Sequence, residues 1–261
     1  MDELSLKSKT CIVTGGTSGI GLEISKKFAQ KGAKVILTGR DGPKGIKAQD
    51  AVNLAAGKQV CFFIKCDSGI MEDVERSCSH IVSKFKKVDV LVLNAATEFT
   101  EPIAEIKIEN WDRVFDVNVK GVFYFVKFLV DSMITNGHGN IIIIGSVVSH
   151  TGAGGGMHYA SSKAALKGIS ARINYELLSK GIRSNIISPG VIDTPMLRKK
   201  YPDKPQVNQK LNSQVPFGRI GKPSDIASLA LFLASDTSEY ICGQDIIIDG
   251  GRMLFRRPAH S

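Results

Sequence analysis

The sequence predicts an α/β fold: one domain built on a doubly wound, seven-stranded parallel sheet with helices on both faces. Three observations carry this. Apolar runs of strand length alternate along the chain with longer amphipathic stretches. Those runs are continuously apolar, as in IIII at 141–144, and continuous runs belong to strands covered on both faces. At 261 residues, 43% hydrophobic and 23% charged, the chain is long enough to bury one large core. No repeat, low-complexity segment or linker divides it, so residues 1–261 read as a single domain.

The elements follow in order. TCIVTGG is a buried strand, and GIGLEISKKFAQKGA a helix that turns Leu22, Ile24, Phe28 and Ala29 inward. KVILTGR is the second strand and QVCFFIKCD the third, followed by the helix MEDVERSCSHIVSKF. VDVLVLNAA is the fourth strand, WDRVFDVNVKGVFYFVKFLVDSMI one long helix, and GNIIIIGSVV the fifth strand. The helix YASSKAALKGISARINYELLSK leads to the sixth strand, IRSNIISPG; SDIASLALFLASD is a helix and GQDIIIDGG the seventh strand. The stretch of roughly 191–220, with Pro195, Pro202, Pro205 and Pro216, is long and without a clear period, and reads as a flexible lid.

Composition excludes several classes. The net charge of +9 comes from 34 Lys and Arg against 25 Asp and Glu spread along the chain, which describes a solvated basic surface before a nucleic-acid binder. Five scattered cysteines without a C-x-x-C imply neither a disulfide framework nor a metal site. MDELSLKSKT lacks the apolar core of a signal peptide, and no apolar run reaches the roughly 18 residues of a membrane helix. The expectation is a cytoplasmic protein with no membrane partner.

TGGTSGIG (14–21) joins the first strand to the first helix. Gly15 permits a tight turn, Gly19 lets backbone approach a pyrophosphate, and Gly21 lets helix and strand pack closely. The helix start offers free N–H groups and a positive dipole end to phosphate. Thr17, Ser18 and Ile20 complete this candidate cofactor-binding turn. About 20 residues on, an NAD-preferring chain places an acid at the end of the second strand. Here that strand ends VILTGRD, with Gly39 in that place and Arg40 after it. An arginine there forks onto a 2′-phosphate, which points to NADP(H); Asp41 reaching the ribose, and hence NAD(H), is the alternative.

Tyr159 and Lys163 are four residues apart and share a helix face, and Ser146 precedes the tyrosine by 13 residues where the fifth strand ends. A phenol can protonate a developing alkoxide, yet its pKa of about 10 is too high for exchange near neutrality. Lowering it to neutrality takes roughly 4 kcal/mol, which nearby positive charge can supply.

The glycine turn, LNAA (93–96), NVKG (118–121), Ser146, YASSK (159–163) and SPGVIDTPM (188–196) come in the order and spacing of the short-chain dehydrogenases/reductases. The chain resembles that family from Thr10 to Gly251, and within it the 3-oxoacyl-thioester reductases and ketone/polyol dehydrogenases. The resemblance implies a Rossmann fold and a catalytic tetrad of Asn118, Ser146, Tyr159 and Lys163. Tyr159 would be the general acid/base, Ser146 would orient the carbonyl, Lys163 would hold the nicotinamide ribose, and Asn118 would bind a water beyond it. Asp67 would contact adenine, or else be a helix N-terminal residue. Asn94 is kept, while Leu93 and Ala96 depart from the family pattern. Pro189 and Gly190 would turn beneath the nicotinamide, with the Ile192 backbone and Thr194 meeting carboxamide and phosphate.

The implied function is hydride transfer between NADP(H) and a ketone or secondary alcohol. An NAD-dependent polyol or hydroxysteroid dehydrogenase and a non-catalytic dinucleotide-binding regulator are the alternatives. The family also implies a homotetramer (or homodimer) built on helices at about 108–135 and 158–180. His158 should point away from the site, Gly152–Met157 should leave room or mobility, and the basic tail at 252–261 has no assigned role.

Overall fold

The computed structural model describes residues 3–254, so most of the basic tail lies outside the described residues. Strand β1 (Thr10–Thr14) leads to α1 (Gly19–Gln30), then β2 (Lys34–Gly39), α2 (Gly42–Ala56), β3 (Cys61–Lys65), α3 (Met71–Phe85) and β4 (Val90–Leu93). Next come α4 (Ile108–Phe115), a π-helical turn (Asp116–Lys120), α5 (Gly121–Asn136), β5 (Gly139–Ile144), α6 (Val148–Thr151), α7 (Met157–Leu177) and β6 (Ile182–Pro189). The last are α8 (Pro195–Lys200), α9 (Pro205–Asn212), α10 (Pro223–Ala234) and β7 (Asp245–Ile248). The strands form one sheet in the order β3-β2-β1-β4-β5-β6-β7, with every pairing parallel.

Along β1, Cys11 and Val13 join one core and Ile12 the other; along β5, Ile142 and Ile144 oppose Ile141 and Ile143. Residues of the central strands are buried whichever way they point, which is why no polar alternation shows there in the sequence. Ile24, Phe28 and Ala29 of α1 and Ile226 and Ala230 of α10 close the first core, with Leu22 at its rim. Phe125, Leu129 and Met133 of α5 and Ile173 of α7 help close the second. Full burial of one such side chain contributes roughly 1.5–3 kcal/mol.

Three stretches differ from the sequence expectation. Helix α2 was not foreseen, because its two glycines and a proline blur the helical period. Yet Pro43 falls in the first turn, where no N–H is needed, and Asp41 caps it by accepting from the Lys44 N–H at 3.0 Å. The long helix is interrupted by the π turn that holds Asn118, and there Gly121 packs so closely that a side chain would strike the Ser68 carbonyl. The 191–220 stretch contains α8 and α9 around a cluster of its own, Leu211, Val215 and Ile220 with Leu197 and Val207. Pro195 and Pro205 start those two helices; they do not break them.

Cys11, Cys61, Cys66 and Cys78 are buried free thiols and Cys242 is partly exposed. Burial pushes Cys66 up to about 11 and Cys61 to about 12, which keeps them protonated and unreactive. Among the described residues no helix is long and apolar enough to cross a membrane. The strand order reverses beside β1, between β2 and β4, and that places a crevice outside the carboxyl ends of β1 and β4.

Candidate active site

The glycine-rich turn lies at this crevice. Gly15 (φ 62°) and Gly19 (φ 54°) hold left-handed backbone. A Cβ on Gly21 would lie 2.6 Å from the Gly15 carbonyl oxygen, so a hydrogen there is what lets α1 start against the turn. Asn94 Nδ2 donates to the Thr14 and Gly15 carbonyls at 2.9 and 3.2 Å, and Thr14 Oγ1 accepts from the Asn94 and Ala95 N–H groups, both at 3.0 Å. The Asn94 side chain therefore braces the turn from below. Ser18 is the N-cap residue of α1 but its hydroxyl does not bond the helix, which leaves the first N–H groups open to an anion.

Thr194 faces Gly19 across the turn: a Cβ on Gly19 would meet its Cγ2 at 3.4 Å. The chain reaches that point from β6 through Pro189, through Gly190 lying flat on Asp249, and through Ile192, whose backbone bridges Gly221. Thr17 packs over Gly39 at the end of β2, and Ile20 rests against the first core. Arg40 is exposed and, among the described residues, pairs with no carboxylate. Asp67 is committed elsewhere, accepting from Arg113 at 2.7 and 2.9 Å and from the Gly69 N–H at 2.9 Å. A glycine-shaped cradle, an uncapped helix start and a free guanidinium suit a dinucleotide phosphate ligand.

The candidate reacting groups lie beside the next strand over, Ser146 just past β5 and Tyr159 and Lys163 on α7. Lys163 Nζ donates to the Ile144 carbonyl at 2.8 Å, and Ser146 lies near enough to the Tyr159 hydroxyl to draw its pKa down. Two residues of strand advance roughly 6.6 Å and four residues of helix about 6 Å. Since α7 runs back along β5, the pairs 144–163 and 146–159 match with little distortion. Lys163 Nζ lies 5.7 Å from the Tyr159 ring centroid. Asn118 is buried; its Oδ1 accepts from the Thr97 N–H at 2.8 Å, and its Nδ2 donates to the Thr97 carbonyl and Ser162 Oγ, both at 3.0 Å. It joins the cluster through Ser162, the neighbour of Lys163.

The electrostatics differ from expectation. The lysine together with the cationic nicotinamide of the oxidised cofactor was expected to bring the phenol down, and the protein's groups alone do not. Instead burial pushes the Tyr159 hydroxyl well above its usual range, Glu98 adds to this, and Ser146 pulls back. Burial also depresses Lys163 to about 8, with Glu98 opposing. Glu98 was missed in the sequence reading, although an acid four residues past Asn94 lies just outside a central strand at the reversal of strand order. It forms an ion pair with Lys200, tying α8 to the loop after β4. A Cβ on Gly155 would fall 3.0 Å from Glu98 Oε1 and 2.9 Å from Tyr159 Cδ1, so the loop is tight there, while a Cβ on Gly152 would meet nothing within 4 Å. Met196, Tyr201 and Phe217 are exposed.

A family model described as enoyl-(acyl carrier protein) reductase matches residues 15–252. The 3-oxoacyl-[acyl-carrier-protein] reductase FabG of Thermotoga maritima is 37% identical over 254 residues, 96% of this chain and 100% of the relative. FabG of Escherichia coli is 35% identical over 253 residues, 96% of this chain and 100% of the relative. A Beutenbergia cavernae structure solved with low-occupancy NADP superposes with a TM-score of 0.90 at 29% identity, over 97% of this chain and 100% of that one. With the family matched along almost the whole sequence, the chain belongs to the short-chain dehydrogenases/reductases and is an oxidoreductase similar to the 3-oxoacyl reductases.

Proposed function

We propose that this protein is an NADP(H)-dependent reductase of ketones, with 3-oxoacyl thioesters as the favoured substrate class and Tyr159 as the general acid/base. The observation that carries the reading is the paired alignment of Tyr159 on Ser146 and Lys163 on Ile144 beside the glycine cradle. When bound, the nicotinamide supplies the hydride. Gly15, Thr17, Ser18, Gly19, Ile20, Gly21 and Thr194 would hold its phosphates, and Arg40 the 2′-phosphate. Tyr159 and Ser146, near one another at the end of β5, can turn both hydroxyls onto a single carbonyl oxygen. Tyr159 then delivers its proton to that oxygen as negative charge develops there. A phenol that burial keeps protonated at neutral pH favours this direction over alcohol oxidation. Lys163, poised at about 8, exchanges protons readily near neutrality.

A panel of ketones, 3-oxoacyl thioesters and secondary alcohols, followed at the nicotinamide absorbance with both cofactors, tests the reading. Turnover is expected with NADPH and a 3-oxoacyl thioester; activity confined to alcohols with NAD would reverse it. Arg40→Asp removes one charge-assisted contact and adds repulsion, so the NADP/NAD preference should fall about 10- to 100-fold. An unchanged ratio would return the ribose contact to Asp41, whose carboxylate is at present engaged in capping α2.

Glu98→Gln removes a negative charge that raises the Tyr159 pKa. Alcohol oxidation needs the phenolate, so the rising limb of its pH–rate profile should move to lower pH. A limb that stays in place would mean that Lys200 already neutralises Glu98 at the phenol. The tetramer (or dimer) reading rests on the family likeness, and Phe123 and Tyr175, exposed on α5 and α7, are apolar surface that further copies would cover. Four buried free thiols suit the reducing cytoplasm.

A further inference from the structure

The residue before the catalytic tyrosine is a wholly buried histidine, and nothing in the proton chemistry above uses it. His158 Nδ1 accepts the backbone N–H of Tyr159 at 3.0 Å. A neutral imidazole accepting at Nδ1 carries its proton on Nε2. That Nε2 lies 3.5 Å from Glu101 Oε2, and both atoms are buried and make no hydrogen bond. The other carboxylate oxygen, Oε1, accepts from Asn110 Nδ2 at 2.6 Å. Trp111 stacks beside the imidazole at 6.5 Å between ring centroids and Phe99 flanks it at 6.1 Å.

The ring folds back over its own helix start, and the Gly156 hydrogen makes that possible: a Cβ there would lie 2.6 Å from Nδ1. The Gly156 N–H in turn donates to the Phe99 carbonyl at 3.0 Å. Phe99 and Glu101 belong to the loop after β4, which also carries Thr97, bonded both ways to Asn118, and Glu98, the carboxylate that acts on Tyr159 and Lys163. A free N–H near a helix start ordinarily faces water or a capping side chain. Here a buried ring takes it and faces an acid on the opposite wall of the cleft.

We propose that His158, backed by Glu101, is a positioning residue that fixes the height of Tyr159 against Ser146 by locking the start of α7 to the loop after β4. The proposal rests on Tyr159 being the proton donor. Small displacements of a reacting group are expensive, so a variant lacking the acceptor should lose about 10- to 100-fold in kcat.

The test uses the full chain with three substitutions, His158→Ala, His158→Phe and His158→Asn, the last placing Oδ1 where Nδ1 was. Two readouts are taken: steady-state kinetics with NADPH and the best ketone of the panel, and hydrogen exchange of the Tyr159 amide without ligand. His158→Phe keeps a ring and loses the acceptor: kcat should fall with KM held within about twofold, and the amide should exchange faster. His158→Asn should restore the amide protection and, lacking the Nε2 that faces Glu101, only part of kcat. Wild-type kcat and amide protection in His158→Phe would overturn the proposal, as would a loss in His158→Asn equal to that in His158→Ala. If His158→Ala does not fold, the Phe and Asn pair still decides. Should the wild type turn over nothing, the functional reading fails, while the exchange data still report on the histidine bond.

Discussion

Tyr159→Phe is expected to abolish turnover while leaving dinucleotide affinity unchanged. The ring remains against Gly155 and only the hydroxyl goes, and with it the proton donor and the partner of Ser146. Loss of a positioned general acid costs about 10²- to 10⁴-fold. Ser146 would remain to polarise a carbonyl, so a small residual rate is compatible with the assignment. Calorimetric titration with NADPH separates the effects: unchanged affinity with lost kcat assigns the phenol to chemistry. Retained kcat would end its role as acid and base.

Lys163→Met should produce two opposite effects, inactivation and stabilisation. Turnover should fall on the order of a hundredfold or more, because the buried ammonium beside Tyr159 is removed. Stability should rise at neutral pH. The depression of Lys163 to about 8 corresponds to roughly 3 kcal/mol held against its charged form. Losing the bond to the Ile144 carbonyl takes back about 1 kcal/mol, leaving a gain of about 2 kcal/mol. In the wild type the unfolded chain binds more protons than the folded one between about 8 and the ordinary lysine range, so stability should climb with pH across that window. The variant should lack the climb. Urea midpoints at neutral and alkaline pH measure both effects, and a variant less stable than wild type at neutral pH would show that the ammonium is well solvated or compensated.

This combination, a group that lowers stability where it sits and is indispensable there, is what a binding or catalytic cleft produces. Glu98 also sits at an electrostatic cost, an acid facing a phenol across a glycine, and it is offset by its ion pair with Lys200 of α8.

Much of this was legible in the sequence. IIII at 141–144 announced a two-faced strand, and GIGLEISKKFAQ a helix with one buried stripe, because burial on one or both sides is written in residue period. Tyr159, Lys163 and Ser146 could be placed together because i, i+4 on a helix and the end of the preceding strand are local geometry. Helix α2 stayed hidden since its period is weak and its capping by Asp41 depends on a single side chain. The lid helices were hidden by their prolines, which mark a first turn as readily as a break.

By itself the sequence determined the sheet and the glycine-rich turn, features set by period or by short spacing, and it put Tyr159 and Lys163 on one helix face as a proposed proton-transfer pair. Only the tertiary structure decided what surrounds that pair. Glu98 and Glu101 are distant in sequence from Tyr159, and Glu98 reaches it and Glu101 its neighbour His158 because β4 and β5 are neighbours in the sheet and release their following loops into the same crevice. Burial, which shifts both the phenol and the ammonium, is a property of packed layers, and no single segment of chain carries it.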